Sequence, residues 1–149
     1  MAAVISFEMP MGIVEIEKCI PHRPPFLLVD RILEVQPGKS IVGIKNISIS
    51  DPILSGHFPG RPIVPGVVMI EGLAQAAGVL GHLTIPNGIS SCLLTEISET
   101  RFRRPVVPGD VLRYDVRVLK SRNHFYWFEG VASVDGEPAV QTTLSAYLK

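Results

Sequence analysis

Pro65-Gly66-Val67-Val68-Met69-Ile70-Glu71-Gly72-Leu73-Ala74-Gln75-Ala76-Ala77-Gly78-Val79-Leu80-Gly81-His82-Leu83-Thr84 is the stretch on which the architecture turns. It opens on Pro-Gly, a helix-start signal, and stops at Pro86-Asn87-Gly88. From Gly66 to Thr84 only Glu71 is charged. Roughly 19 residues this apolar are long enough to span a bilayer as a helix. Glu71, Gln75, His82 and four glycines interrupt the run, however, and the nearest cation is Arg61. We read it as a helix buried inside a soluble protein, with no membrane span. Such a helix is hydrophobic all round and must be covered on every side.

On the N-terminal side, Val14 to Cys19 reads as a short helix ended by Ile20-Pro21 and the Pro24-Pro25 pair. Phe26 to Val35 and Ser40 to Ser48 are β-rich runs facing each other across a Pro37-Gly38 turn, a hairpin. Asp51 to Pro65 is non-repetitive and rich in proline and glycine. Beyond the helix lie four further runs: Ile89 to Ile97, Val111 to Lys120, His124 to Val134 and Ala139 to Leu148. The last alternates most clearly, with Val140, Thr142, Leu144, Ala146 and Leu148 on one face. Asp135-Gly136 marks a hairpin turn between the final two. No repeat or linker divides residues 1–149, so the chain reads as one α+β domain. One antiparallel sheet covers only part of an all-apolar helix, and a partner subunit is the economical cover for the rest.

Composition agrees. Of the 149 residues 46% are hydrophobic and 19% charged, which a disordered chain cannot be. Fourteen cations balance 14 anions, which argues against a general nucleic-acid binder and removes the self-repulsion that keeps chains apart. Cys19 and Cys92 form no C-x-x-C pair and no disulfide framework, and they suggest reduced thiols rather than a zinc site. Met1 to Gly12 has neither the cationic nor the apolar region of a signal peptide. A cytoplasmic location is the expectation.

The chemistry concentrates in Ser55-Gly56-His57-Phe58-Pro59-Gly60-Arg61-Pro62-Ile63-Val64-Pro65-Gly66, continuing to Glu71. His57 sits in a loop stiffened by prolines and can act as a base with little tuning. Glu71 falls on an otherwise apolar helix, where desolvation favours a carboxyl that holds a proton. The Gly66 amide lies in the first helical turn, where N–H groups lack intrahelical acceptors and can polarise a carbonyl oxygen. A base, a proton donor and a carbonyl polariser suit proton abstraction beside a carbonyl with loss of a β-leaving group. Plainer roles stay open on spacing alone: a loop histidine that is structural, a Glu71 that pairs with Arg61, and a Pro65-Gly66 that only starts a helix.

This stretch resembles the signature of the FabZ-type β-hydroxyacyl-[acyl-carrier-protein] dehydratases, G-H-F-P-G-x-P-x-x-P-G-V-x-x-x-E, and meets every fixed position. The resemblance extends through Pro21-His22-Arg23-Pro24-Pro25-Phe26-Leu27-Leu28-Val29-Asp30-Arg31, Ala74-Gln75-Ala76-Ala77-Gly78 and Arg101 to Asp110, covering roughly residues 13 to 148 in order. It implies a hot-dog fold, a curved six-stranded antiparallel sheet wrapped around the long helix. It also implies a homodimer whose active sites take His57 from one subunit and Glu71 from the other, often assembled further as a trimer of dimers. The implied reaction is reversible loss of water from a 3-hydroxyacyl thioester to the trans-2-enoyl thioester in fatty-acid or related acyl-chain synthesis, with no metal or redox cofactor. His57 would remove the C2 proton, Glu71 would protonate the departing hydroxyl, and the Gly66 amide would hold the thioester oxygen.

Gln75, one turn beyond Glu71, can hold its carboxyl. Phe58 is a candidate for the acyl tunnel, His22 for bracing structure and His82 for the frayed helix end. Residues 101 to 122 hold seven of the 14 cations. Arg101, Arg103 and Arg104 are the candidates for docking an acidic acyl carrier protein, which delivers substrate on a phosphopantetheine arm. Departures from the family pattern are Leu93, Leu94 and Glu96 in place of an aromatic pair and a glycine, and Gly72 in place of alanine. They point to altered tunnel lining and acyl preference. Rival functions are a hot-dog thioesterase, since fold alone does not fix chemistry, and a non-catalytic carrier-docking paralogue.

Overall fold

The computed structural model describes residues 7–149. Helix α1 (Ile13–Cys19) leads to strands β1 (Arg31–Gln36) and β2 (Ser40–Asn46). A single 3₁₀ turn (Pro52–Leu54) precedes the long helix α2 (Gly66–Thr84). Strands β3 (Cys92–Phe102), β4 (Val111–Arg122), β5 (Phe125–Val134) and β6 (Glu137–Leu148) follow. The six strands form one sheet in the order β1-β2-β4-β5-β6-β3, every neighbouring pair antiparallel. The concave face of the sheet receives α2, which packs on β2, β4, β5 and β6.

Side-chain alternation explains the register. On β4, Leu112, Tyr114 and Val116 point inward while Arg113 and Arg117 face solvent. On β6, Val140, Thr142, Leu144, Ala146 and Leu148 are all buried against α2. The β5–β6 turn places Asp135 at φ 49° and Gly136 at φ 80°, the paired positive φ that an Asp-Gly hairpin turn requires.

Most boundaries fall within two residues of the sequence reading, and two strands depart further. The run from Phe26 becomes a strand only at Arg31. Over Leu27 to Val29 the chain is buried, and Leu28 gives its N–H to a side chain of α2 instead of to a neighbouring strand. Strand β3 runs Cys92–Phe102 instead of Ile89 to Ile97. Its C-terminal half is rich in polar residues, so no apolar alternation announces it. Backbone pairing with β6 across two bulges carries it to Phe102.

Helix α2 has the length and composition to cross a membrane, yet most of it is buried in the sheet. Its cover is incomplete on one stripe. Val67 is 71% exposed, and Glu71 and Ala74 at helical spacing after it are only half-buried. Edge strand β3 continues the same apolar exposure through Leu93, Ile97 and Phe102.

Candidate active site

His57 is held by backbone on both sides. The buried pair of Lys45 and Asp51, 3.2 Å apart, ties β2 to the 3₁₀ turn, and Asp51 Oδ1 accepts from the Ile53 N–H to cap that turn. The His57 N–H then donates to the Leu54 carbonyl. Phe58 and Arg61 exchange both backbone hydrogen bonds around Pro59-Gly60, with Gly60 at φ +75°. The Ile63 N–H returns to the His57 carbonyl at 2.9 Å. Within this frame His57 Nδ1 lies 2.7 Å from the Ile63 carbonyl oxygen. A carbonyl oxygen only accepts, so Nδ1 carries the hydrogen and Nε2 keeps its lone pair. The neutral ring therefore presents a basic nitrogen.

His57 lines an open hollow with Gly66, Val67, Met69, Phe102 and Arg103. Helix α2 starts on this wall. Pro65 accepts from Val68 and Met69, while the amides of Gly66 and Val67 have no acceptor among the described residues. A Cβ on Gly66 would come within 2.5 Å of the Phe102 ring, so glycine is what lets that ring lie over the helix start.

Glu71 opens into a second cavity, lined by His22, Gln75, Cys92, Leu94 and Phe128 among others. Gln75 is 1% exposed and fully committed: its Oε1 accepts from Leu28 N–H at 2.8 Å, and its Nε2 donates to the Phe26 carbonyl at 2.8 Å and to Glu71 Oε1 at 3.0 Å. Burial, with a smaller contribution from the negative charge of Glu71, pushes the Cys92 thiol up to about 11. Among the described residues no three His, Cys, Asp or Glu side chains gather as a metal site.

Within one chain, His57 and Glu71 thus face different hollows. Phe58 stacks on the His57 ring with centroids 4.0 Å apart, half-exposed, and lines neither hollow. Arg103 donates to Gln141 Oε1, Arg104 is engaged by Glu137 and Asp110, and Arg101 is exposed on β3. His82 accepts from the Ile89 N–H at the end of α2, a structural role.

Gly72 does not touch the cavity beside Glu71. A Cβ there would collide with the ring of buried Tyr114, whose hydroxyl donates to the Leu28 carbonyl at 2.9 Å. Its glycine serves core packing and not tunnel lining. Of the β3 departures, Leu94 does line the Glu71 cavity, while Leu93 and Glu96 are exposed along the edge strand. Sequence reasoning missed the approach of His22, whose Nε2 stands 3.6 Å from Glu71 Oε1. The two residues are 49 positions apart, and no periodicity links them.

Comparison with known proteins fits this arrangement. The FabA-like domain family matches residues 20–143. A 3-hydroxyacyl-[acyl-carrier-protein] dehydratase FabZ of Aromatoleum aromaticum is 45% identical over 142 residues, covering 93% of this chain and 98% of the relative. The FabZ of Nitratiruptor sp. is 44% identical, covering 93% and 97%. Among solved structures, the dehydratase heterocomplex ApeI:P from Xenorhabdus doucetiae superposes with a TM-score of 0.79 at 22% identity, over 90% of each chain. A hypothetical thioesterase with coenzyme A from Streptococcus pneumoniae gives 0.63 at 13% identity, over 79% of this chain and 84% of that one, a likeness of fold alone. A single hot-dog domain that carries the full G-H-F-P-G signature, and is this similar to such relatives along almost its whole length, belongs to the FabZ-type 3-hydroxyacyl-[acyl-carrier-protein] dehydratases.

Proposed function

We propose that this chain is a hydro-lyase that reversibly dehydrates 3-hydroxyacyl thioesters of acyl carrier protein to trans-2-enoyl thioesters in fatty-acid biosynthesis. The observation that carries the mechanism is the bond between His57 Nδ1 and the Ile63 carbonyl, which leaves Nε2 as a free base on a stiff loop. His57 Nε2 takes the C2 proton. The electron pair released forms the C2–C3 double bond as the C3–O bond breaks. Glu71 gives its proton to the departing hydroxyl, and water leaves. The proton on His57 returns to the Glu71 carboxylate, directly or through water, and both groups are reset. The Gly66 amide holds the thioester oxygen while negative charge builds on it. No step uses a metal or a redox group.

Because His57 and Glu71 open on separate hollows, the proposed site takes its base from one subunit and its acid from the partner in a homodimer. The exposed stripe of α2 and the edge of β3 support that pairing, and trimers of dimers are the further expectation. Carrier docking falls to Arg101 and Arg103, since Arg104 already balances Glu137 and Asp110. The location proposed is the cytoplasm. The test is hydration of trans-2-enoyl thioesters, on carrier protein and on coenzyme A, followed by loss of enoyl absorbance. His57→Ala is expected to lower turnover by at least about 10²-fold. Unchanged turnover in that variant, or release of free thiol without hydration, overturns the proposal.

A further inference from the structure

The carboxyl of Glu71 is held on one oxygen only. Gln75 Nε2 donates to Oε1 at 3.0 Å, and His22 Nε2 stands 3.6 Å from the same atom. Among the described residues nothing bonds Oε2. Gln75 cannot turn over, because its two amide atoms are already matched to the Leu28 N–H and the Phe26 carbonyl. Inversion would set donor against donor and acceptor against acceptor.

His22 is equally constrained. Its neighbour Arg23 bonds the carbonyls of Glu17, Ile20 and His22 itself, which fixes the backbone at this point. Its ring stacks with Phe26 at 6.2 Å, and its buried Nδ1 has no partner among the described residues. A buried N–H without an acceptor is costlier than an idle lone pair. The hydrogen of neutral His22 is therefore assigned to Nε2, the nitrogen that faces Glu71. A distance of 3.6 Å is just outside hydrogen-bonding reach, and a small rotation of either side chain closes it once substrate packs the cavity.

When the Glu71 carboxyl carries its proton as the acid of the proposed reaction, the oxygen that faces two N–H donors is its carbonyl oxygen, and the acidic hydrogen belongs to the other oxygen. We infer that His22 is a positioning residue which, with Gln75, pins Glu71 Oε1 and so makes Oε2 the oxygen that holds the proton and delivers it. The inference rests on the reading of Glu71 as proton donor. It also explains why a histidine that reacts with nothing lies against the acid of the site.

The experiment compares His22→Phe, which keeps the ring and removes both nitrogens, with His22→Gln, which restores an N–H donor. Both are assayed for hydration of a short trans-2-enoyl thioester, with thermal unfolding as the check on folding. His22→Phe should lower kcat roughly tenfold, with KM within about twofold of the unchanged protein, as expected when an acid is misplaced and not removed. His22→Gln should recover kcat to within about threefold. If His22→Phe does not fold, His22→Asn, whose shorter side chain falls short of Oε1, takes its place as the donor-free arm. No loss of kcat, an equal loss in both variants, or a change in KM alone overturns the inference. Glu71→Gln separates the two readings: full activity there removes Glu71 as acid and His22 with it. An inactive Glu71→Gln beside fully active His22 variants removes only His22.

Discussion

Gln75→Leu tests stability and site geometry with one substitution of nearly the same shape. Leucine keeps the packing of a residue that is 1% exposed but removes three hydrogen bonds. The Leu28 N–H belongs to a fully buried residue and loses its acceptor outright, which costs about 1–3 kcal/mol. Phe26 is half-exposed, so water can replace the donor to its carbonyl, and that loss stays near 0.5 kcal/mol. A net destabilisation of about 2 kcal/mol follows, or a fall of roughly 4–8 °C in Tm for a domain of this size. Urea unfolding at fixed protein concentration should show a lower midpoint with an unchanged slope. Turnover should fall as well, by about tenfold, because Glu71 Oε1 loses its only bonded donor. Gln75→Glu is the contrast. It still accepts from Leu28 but sets an acceptor against the Phe26 carbonyl and a second buried carboxylate one turn from Glu71, so it should recover neither the stability nor the turnover. A Gln75→Leu protein that unfolds at the original midpoint would refute the hydrogen-bond argument. One that is destabilised yet turns over at full rate would refute the claim that Gln75 positions the acid.

Gly72→Ala should destabilise by about 1–3 kcal/mol or more, since the new Cβ meets a buried Tyr114 ring anchored through its hydroxyl. Gly66→Ala meets Phe102, which is over half exposed and free to swing, so calorimetry should find its Tm almost unchanged. Asp51→Ala leaves the Lys45 ammonium nearly buried and unpaired; we expect a loss of about 3–5 kcal/mol in chemical unfolding, and a partial return when Lys45→Met is added. Burial raises the thiols of Cys19 and Cys92 from 9.0 to about 11. It also raises the Tyr114 hydroxyl, with the negative charges of Asp30, Asp51 and Glu71 adding to the effect. The folded state therefore holds these protons more tightly than the unfolded chain. Their contribution to stability should be level below pH 9 and fall as pH rises from about 9 toward 11, and pH-dependent unfolding of Cys19→Ala with Cys92→Ala should show a shallower decline over that range.

What was legible in the sequence was whatever repeats locally. Gly66 to Thr84 forms the helix over those same residues, because Pro65 and Pro86 bracket a run that carries a single charge. The alternations of β4 and β6 match their burial for the same reason, except that Ala139 and Ser145 on the opposite face of β6 are buried too and Val118 on β4 is only half-buried. The signature around His57 was readable as a pattern, but the tautomer of His57 was not, because it depends on where the Ile63 carbonyl turns. Strand β3 was misplaced because its polar half is specified by pairing with β6, a partner about 45 residues away, and not by its own side chains. Gly72 was misassigned to the tunnel because its meaning lies in Tyr114, 42 positions later, and only packing brings them together. Nothing in Pro21-His22-Arg23 points to Glu71, so the sequence offers His22 only as a brace, and the 3.6 Å approach is visible in the fold alone.

The same physical fact underlies the composition and the site. A helix with one carboxylate and no other charge is costly to expose, and the sheet of a single chain buries its middle turns but leaves both ends and the stripe through Val67, Glu71 and Ala74 incompletely covered. That stripe holds the acid, and it adjoins the helix start where the base and the free amides lie. Cover for it must therefore be apolar enough to dry the stripe and must also admit a thioester between the two reacting groups. The second copy of the proposed homodimer would meet both demands, because it would bring its own His57 loop and its own exposed β3 edge, with Leu93, Ile97 and Phe102, to the same surface. On this view the exposed apolar residues of β3 and the separation of His57 from Glu71 have one cause. In the proposed homodimer the chain would bury its helix and complete its chemistry in the same association. Leu93→Asp with Ile97→Asp, which charges the β3 edge, should therefore leave a folded monomer by light scattering and circular dichroism that has lost hydration activity; a dimeric or active variant refutes the link.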